Sequence, residues 1–410
     1  MDMKKLHNLL VILPFFLILG WFTYQSMTLP DQEISEVENR ELMQMPELEE
    51  DVEITSGAIQ KYTGEITEYV VDQFPNRDEF LKFYSQLEMA QRKIFLRNVY
   101  LADSEWLMTH IYEVPNEQWG WLTSVIRQAK EKVDIPFVYA VLPQKNDLLH
   151  QIENGLIDNN NSFKNKAQLL EQLGTLEDVT TIDVSEYMLE TFELEERKNF
   201  YFKTDFHWNP YGAFVAARHI SASMVEQGIL ETDASLEDFW WKDYSERYLF
   251  QGDLNRRFSN LFSMEEMIPY YEYDTPEDLS YYVMLGATQS VPRETVVGSG
   301  LVDPEATEID YNNLATMNRG YYRILNENPK VDQCILILKD SLENPMTDYF
   351  SSIYREVNIV DPRYYKEPRD FYGLLEYRDV DLVLMMFHQN NCSAELREFL
   401  KGTQEPAAGV

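Results

Sequence analysis

Asp205 and His207 stand two residues apart, immediately before a predicted helix. Asn209 suits the N-cap position and Pro210 the first helical position of that helix. We therefore place the acid and the histidine on the last extended residues before the helix, where side chains at i and i+2 point the same way. A carboxylate so placed holds an imidazole in one tautomer. This pattern predicts a general base with its orienting acid, and it calls for a nucleophile.

Ser341 is the candidate nucleophile. It comes shortly after the apolar run Ile335–Leu338, so we expect it at the carboxyl end of a buried strand. The backbone N–H groups of the following loop, and the side chain of Asn344, would offer the donors that an oxyanion needs. The sequence thus predicts Ser341 as nucleophile, His207 as base and Asp205 as orienter. The competing interpretation is a turn serine and a core histidine held by an aspartate.

Further polar side chains are expected at the same crevice. In a parallel sheet, residues just past the carboxyl ends of strands line the ligand site. Each of them could instead cap a loop, and Trp208 is expected to pack under His207 rather than to bind substrate. The candidates for substrate or oxyanion contacts are Asn344, Lys145, Gln144, Asp253 and Trp208, and His388 and Asn390 also follow a predicted strand.

Short apolar runs alternate with helical stretches from Val99 onward. This alternation predicts an α/β fold, with a parallel sheet flanked by helices on both faces. The predicted strands are Phe137–Leu142, Thr180–Val184, Ile335–Leu338 and Leu382–Phe387, and the run Phe200–Phe202 leads into the segment with Asp205 and His207.

The N-terminus carries Lys4 and Lys5 ahead of the apolar run Leu9–Phe22, and no small-residue cleavage site follows. We expect an uncleaved signal anchor, with the lysines inside and the body of the protein outside the cell membrane. The predicted organisation is an anchor at 1–25, an acidic tether and helical region at 26–98, an α/β domain at 99–402 with an irregular insertion at about 240–316, and a flexible tail at 403–410.

Composition excludes several classes of protein. The 410 residues carry a formal net charge of -35, which disfavours nucleic acid and anionic membrane surfaces as partners. Cys334 and Cys392 are the two cysteines, and we expect both as free thiols, with no metal site and no cofactor. Aromatic side chains in the insertion could stack on sugar rings, although an ordinary core is the alternative; they are Trp240, Trp241, Tyr270, Tyr271 and Tyr273.

Several short motifs occur in an order that resembles the DHHW-motif family. That family is similar to the alginate O-acetylation proteins (AlgX/AlgJ-like) of the SGNH-hydrolase-like class. The matching segments are Ser35-Glu36 with Glu38-Asn39-Arg40 and Leu42, Phe74-Pro75 with Arg77-Asp78, Asp205-Phe206-His207-Trp208 with Gly212-Ala213, Lys339-Asp340-Ser341 with Asn344, and Asp361-Pro362-Arg363-Tyr364-Tyr365. Phe206 stands where the family motif has its first histidine.

The resemblance implies an SGNH-hydrolase-like fold and an extracytoplasmic, membrane-anchored O-acetyltransferase. Its acceptor would be a cell-surface or secreted polysaccharide, and its partner a membrane-bound O-acyltransferase. Asp205, His207 and Ser341 would form the triad, with an acyl-serine intermediate. An esterase on the same triad, and a decayed protein that binds glycan or acts in assembly, remain alternatives.

Overall fold

The computed structural model describes residues 3–35, 40–47, 55–91, 93, 95–103, 105–152, 161–230, 240–272, 278–297, 305–391 and 393–402. The chain divides into two compact units. Unit 1 consists of Met1–Arg97 with Asn255–Ser263, and unit 2 of Asn98–Leu254 with Met264–Val410.

Unit 1 is mainly helical, and a break at Phe74-Pro75 separates two of its helices. Ser35 Oγ donates to Asp78 Oδ1 at 3.0 Å, so the first two family-like motifs lie against each other; residues 36–39 lie outside the described part of the chain. The elements are α1 (Met3–Thr28), β1 (Ile34–Ser35), β2 (Arg40–Glu41), α2 (Ser56–Asp72), α3 (Arg77–Ala90) and β3 (Phe95–Leu96).

The predicted anchor run Leu9–Phe22 lies within α1, which has Pro14 inside it. Within the described ranges, none of the helices combines the length and the apolar character that a transmembrane span requires. The signal anchor therefore stays a prediction.

Unit 2 holds the α/β region. Its elements are β4 (Val99–Ala102), β5 (Trp106–Thr109), α4 (Asn116–Lys132), β6 (Phe137–Leu142), α5 (Lys145–Leu148), α6 (Asn161–Leu173), β7 (Val179–Asp183), α7 (Val184–Thr191), α8 (Leu194–Lys198), α9 (Pro210–Glu226), β8 (Trp240–Asp243), β9 (Leu249–Phe250), α10 (Asp253–Arg257), β10 (Pro269–Glu272), β11 (Leu279–Tyr282), β12 (Glu308–Ile309), β13 (Tyr321–Asn326), β14 (Val331–Lys339), α11 (Thr347–Ser351), β15 (Tyr354–Val360), α12 (Phe371–Arg378), β16 (Leu382–His388) and α13 (Ala394–Lys401).

A seven-stranded sheet of order β11-β13-β15-β14-β16-β6-β7 forms the centre of unit 2. The five strands from β15 to β7 are parallel, and β13 and β11 extend the sheet in antiparallel fashion. The predicted mostly parallel α/β fold is confirmed. The parallel arrangement brings the carboxyl ends of β14, β16 and β6 to one edge, where Ser341 and Gln144 follow their strands and β16 ends at His388.

Alternate residues of the central strands pack on opposite faces of the sheet. Ile335 and Ile337 of β14 belong to one apolar cluster, whereas Leu336 and Leu338 belong to the other. The first cluster includes the buried face of α9, and the second includes α4, α12 and α13. Because both faces are covered by helices, the strands read as continuous apolar runs.

Helix α9 starts as predicted, with Pro210 in its first turn and the Asn209 side chain accepting from Gly212 N–H at 3.0 Å. Just beyond its end, Gly228 has a φ of 71°. Only glycine adopts that conformation without steric cost. The N-cap at Asn209 fixes where the preceding segment, with Asp205 and His207, joins α9.

Two features of the sheet region differ from expectation. Strands β13 and β15 were not predicted, and β11, inside the supposed irregular insertion, forms the outer strand of the sheet. The antiparallel edge strand β11 has four residues, which is too short for a clear periodicity. Phe200–Phe202, which leads into the segment with Asp205 and His207, forms an isolated antiparallel bridge through Tyr201 to Trp208. Cys334 is a buried free cysteine, and Cys392 lies outside the described residues.

Candidate active site

Asp205, His207 and Ser341 form one chain of hydrogen bonds. The Asp205 Oδ1 atom lies 2.8 Å from His207 Nδ1, and His207 Nε2 lies 2.9 Å from Ser341 Oγ. Asp205 and His207 are buried and Ser341 is partly exposed, so the chain runs from the interior to the solvent side. The three residues picked from the sequence are therefore in contact, in the order that a nucleophile, base and orienter require.

The closeness of Asp205 and His207 has a different cause from the one expected. Residues 203–207 form a series of bends between the bridge partners Tyr201 and Trp208, not extended chain. The Asp205 carboxylate accepts the backbone N–H of His207 at 2.9 Å. This is an Asx turn, in which the aspartate holds the backbone two residues on. The prediction of extended geometry was wrong, although the same two side chains meet.

Two aromatic rings enclose the imidazole. Tyr311 stacks on His207 with centroids 3.8 Å apart and planes at 4°, and Phe206 lies at 3.9 Å on a 34° tilt. The Tyr311 hydroxyl donates to the Ser341 carbonyl at 2.6 Å. Tyr311 thus contacts both the base and the nucleophile loop. Nothing in the sequence singled it out, because it lies in the insertion with no recognisable motif.

The Ser341 loop is fixed by Asp340. The Asp340 carboxylate accepts Leu342 N–H at 3.0 Å and His388 N–H at 2.9 Å, which ties the loop after β14 to the end of β16. Trp208 Nε1–H donates to the Leu342 carbonyl at 2.8 Å. Fully buried, Trp208 supports the loop and does not face substrate.

The Ser341 N–H group has no acceptor among the described residues. It stands next to Ser341 Oγ, where an oxyanion would develop if that oxygen attacked an acyl carbon. It is therefore the candidate oxyanion donor that the structure presents.

Asp205 is held as a carboxylate. Burial raises its pKa, but the charge and hydrogen bond of the His207 ring, with the N–H groups of Asp253 and His207, lower the pKa to about 2. The Asp253 N–H contact is 2.8 Å, so the candidate Asp253 contributes through its backbone. An ionised Asp205 keeps the proton on Nδ1 and leaves Nε2 free to accept from Ser341.

Lys145 does not line the substrate crevice, contrary to expectation. Its buried ammonium donates to the carbonyls of Leu107, Lys203 and Asp205 at 2.7, 2.9 and 2.9 Å. Burial lowers the pKa of Lys145 to about 7, against the opposing charges of Glu266 and Asp205. A lysine needs acceptors once it is buried, and the bent loop supplies three of them.

The Glu266 carboxylate accepts hydrogen bonds from backbone N–H groups of the same loop. It accepts Lys203 N–H at 2.6 Å, Thr204 N–H at 2.7 Å and the Thr204 hydroxyl. Burial raises the pKa of Glu266, whereas these hydrogen bonds and the positive charge of Lys145 lower it. Lys145 and Glu266 together satisfy the backbone of the loop that carries Asp205. Sequence reasoning missed Glu266, which is far away in the chain.

Asn344 and Gln144 also have other roles than expected. The buried Asn344 side chain accepts from Lys339 Nζ and donates to Asn318 Oδ1 at 3.0 Å, so its amide serves the interior. The Gln144 side chain lies 2.9 Å from His388 Nδ1 and helps cap α5. Neither amide bonds to the Ser341 or His207 side chain within the described residues.

The aromatic residues of the insertion pack mainly against the protein. Trp241 lies against Tyr211 and Phe214, with centroids 5.1 and 5.4 Å apart, and Tyr270 packs on a small apolar cluster around Phe250. The side chains of Trp240 and Tyr271, and all of Tyr273, lie outside the described part. No group of His, Cys, Asp or Glu suited to a metal ion occurs within the residues described.

Comparison with known proteins places this geometry in context. Residues 108–299 match the family model described as SGNH hydrolase-like domain, acetyltransferase AlgX. The structure of PatB1 from Bacillus cereus matches at 21% identity and a TM-score of 0.62, covering 73% of this chain and 97% of that chain. A DHHW family protein from Eubacterium siraeum matches at 18% identity and a TM-score of 0.54, covering 75% and 95%.

The O-acetyltransferase domain of Pseudomonas putida AlgJ matches more weakly, at 13% identity and a TM-score of 0.43, with 75% of this chain and 99% of that chain covered. No curated protein sequence matches the chain. The structural likeness to PatB1 and to the DHHW family protein establishes a shared fold.

Residues 108–299 thus resemble an SGNH hydrolase-like domain, and the chain shares the fold of PatB1. The resemblance that the motifs indicated, to the DHHW-motif family and the AlgX-like proteins, is confirmed.

Proposed function

We propose that this protein is an O-acetyltransferase that modifies a polysaccharide through an acyl-serine intermediate. The observation that carries the proposal is the hydrogen-bonded chain from Asp205 through His207 to a partly exposed Ser341. The family description of an acetyltransferase supports transfer to a hydroxyl group rather than to water.

The reaction proceeds in two steps on these groups. Ser341 Oγ attacks the acetyl carbonyl carbon of a donor while His207 Nε2 takes its proton, and the leaving group departs with that proton. A sugar hydroxyl then gives its proton to His207 and attacks the acetyl-serine carbonyl, and Ser341 leaves as the hydroxyl by recovering the proton. The Ser341 N–H stabilises the negative oxygen in both steps. Asp205 keeps the imidazole in the tautomer that both steps need.

The test uses 4-nitrophenyl acetate, with intact mass and nitrophenol release as readouts. We expect one acetyl adduct on the wild type and none on Ser341→Ala, and loss of the nitrophenol burst in His207→Ala. Ser352→Ala is a matched control, because the Ser352 hydroxyl donates to the Asp348 carbonyl at 2.8 Å and not to Asp205, His207 or Ser341. A folded wild-type protein that gives neither adduct nor release would favour a glycan-binding or assembly role.

Acceptors separate a transferase from an esterase. Candidate oligosaccharides are added to the acetylated protein, and acetylated sugar is measured against free acetate. If free acetate is the product with every oligosaccharide and no acetylated sugar forms, the esterase is favoured.

We further propose that Leu9–Phe22 anchors the protein with unit 2 outside the cytoplasm, beside a membrane-bound O-acyltransferase that supplies the acetyl group. The support is the charged flank at Lys4 and Lys5. Cell fractionation with protease access to unit 2 tests the anchor, and co-purification from detergent extracts tests the partner. Recovery of the full chain in the soluble cytoplasmic fraction would contradict the anchor.

A further inference from the structure

His388 lies beside the proposed nucleophile. Strands β14 and β16 are parallel neighbours, and Lys339 of β14 pairs with Met386 of β16. Ser341 is two residues after Lys339 and His388 is two residues after Met386, so the two residues lie at the same level of the sheet. Adjacent strands are about 4.8 Å apart. The backbone N–H of His388 donates to Asp340, the residue before Ser341. The imidazole is 30% exposed and stands at the same sheet edge as the active site.

The hydrogen bonds of His388 fix its tautomer. Its Nδ1 atom receives the backbone N–H of Asn390 at 3.1 Å and lies 2.9 Å from Gln144 Nε2. A backbone N–H is always a donor, so Nδ1 must be the acceptor. Burial, with the charges of Arg363 and His207, lowers the pKa of His388, and Asp340 opposes this change. The ring is therefore neutral, and its proton is on Nε2.

The Nε2–H group has no acceptor within the described residues. Asp340 Oδ2, at 3.8 Å, is beyond hydrogen-bond length. The protein thus builds a donor of fixed orientation next to Ser341 and leaves it open toward solvent. His207 differs, because its Nδ1 is the donor and its Nε2 the acceptor.

We propose that His388 is a substrate-binding residue, whose Nε2–H donates a hydrogen bond to an oxygen of the molecule that reacts at Ser341. This inference rests on the proposed acyl transfer at Ser341. The oxygen is either the acyl carbonyl or the hydroxyl of the acceptor, and the two can be separated by the step that slows when the donor is removed.

The kinetic test compares His388→Phe, which keeps a ring but removes the donor, with His388→Gln, which keeps an N–H. With 4-nitrophenyl acetate, and with water or methanol as acceptor, acylation and deacylation are measured separately. We expect His388→Phe to slow deacylation, alone or together with acylation, about tenfold to a hundredfold, and His388→Gln to restore part of the lost rate. His219→Phe is the control, because that ring stacks on Tyr187 in another part of unit 2.

Slower acylation together with slower deacylation assigns the acyl carbonyl, because its oxygen becomes negative in both steps, whereas slower deacylation alone assigns the acceptor hydroxyl. Both rates within about twofold of wild type in His388→Phe would overturn the proposal. Equal losses in His388→Phe and His388→Gln would also overturn it, since they would reflect a structural role.

An independent readout does not need catalysis. The chain has 6 histidines, so ¹⁵N-labelled imidazoles can be assigned with His388→Gln as reference. We expect the Nε2–H tautomer for His388, and a change in its Nε2 resonance when phenylmethanesulfonyl fluoride modifies Ser341. The opposite tautomer would overturn this inference even if Ser341 is acylated. Failure of wild-type acylation would instead count against the proposed function.

Discussion

At the scale of single residues, the candidate site is a series of polar contacts that begins at the buried Asp205 and ends at the partly exposed Ser341 hydroxyl. Asp205 accepts from His207 through both backbone and ring, and Tyr311 covers the ring face while its hydroxyl holds Ser341. Each group is restricted by more than one contact. Such preorganisation reduces the reorganisation needed when charge develops in the transition state.

The low pKa of Asp205 predicts a pH-dependent contribution to stability. Its pKa in the folded state is about 2, below the ordinary value of 3.8, so the carboxylate stabilises the fold above pH 3.8. That contribution, about 2 kcal/mol, is lost as pH falls from 3.8 toward 2. The free energy of unfolding is measured with urea across this pH range, and it should fall less with decreasing pH in Asp205→Asn than in wild type. Parallel profiles would contradict the assignment.

Tyr311→Phe tests the contact between Tyr311 and the nucleophile loop. The ring remains on His207, but the hydrogen bond to the Ser341 carbonyl is lost, and we expect acylation to slow about threefold to tenfold. Tyr311→Leu, which also removes the stacking, should slow it further. The measurement is the nitrophenol burst rate. Tyr282→Phe is the control, since Tyr282 lies on the outer strand β11 and its ring packs under Arg323. Equal burst rates in wild type and Tyr311→Phe would refute the role of the Tyr311 hydroxyl in acylation.

At the scale of elements, the loop from Lys203 to Trp208 is positioned by groups that are distant in sequence. Lys145 bonds its carbonyls, Glu266 bonds its N–H groups, and the Tyr201–Trp208 bridge closes it. Removing either side chain would leave buried backbone groups of the loop without a hydrogen-bond partner, which is destabilising. The loop geometry therefore depends on α5 and on the insertion as much as on its own residues.

Gly252→Ala tests how tightly the insertion packs on this loop. A Cβ atom at Gly252 would lie 2.2 Å from the Thr204 carbonyl oxygen, so the loop that carries Asp205 must shift. We expect a loss of about 1–3 kcal/mol in stability and a larger loss of acylation rate than in the control.

Gly286→Ala is the matched control, because a Cβ atom there meets nothing within 4 Å. Thermal unfolding and the nitrophenol burst are measured for both variants. Equal behaviour of the two variants would show that the close approach at Gly252 does not position the site.

At the scale of the whole molecule, the dominant property is negative charge. A net charge of -35 disfavours compaction through self-repulsion, and salt screens that repulsion. The midpoint of thermal unfolding should therefore rise as sodium chloride is increased from low concentration to about 0.5 M. An equal osmolality of glycerol controls for solvent effects. A midpoint that falls with salt would show that attractive ion pairs outweigh the repulsion.

The sequence by itself determined four of the five parallel strands, the cap of α9 and the choice of Asp205, His207 and Ser341 as the candidate site residues. Buried parallel strands leave long apolar runs, and caps depend on a few local residues. The family-like motifs are local patterns of the same kind.

Only the tertiary structure decided how these residues meet. Tyr311 and Glu266 reach the site from the insertion, Lys145 points into the loop rather than the crevice, and Asn344 bonds to Lys339. These contacts join residues far apart in the chain, and local pattern carries no information on which distant backbone groups a buried side chain must satisfy. The Asx turn at Asp205 shows the same limit, because its bends depend on partners outside the segment.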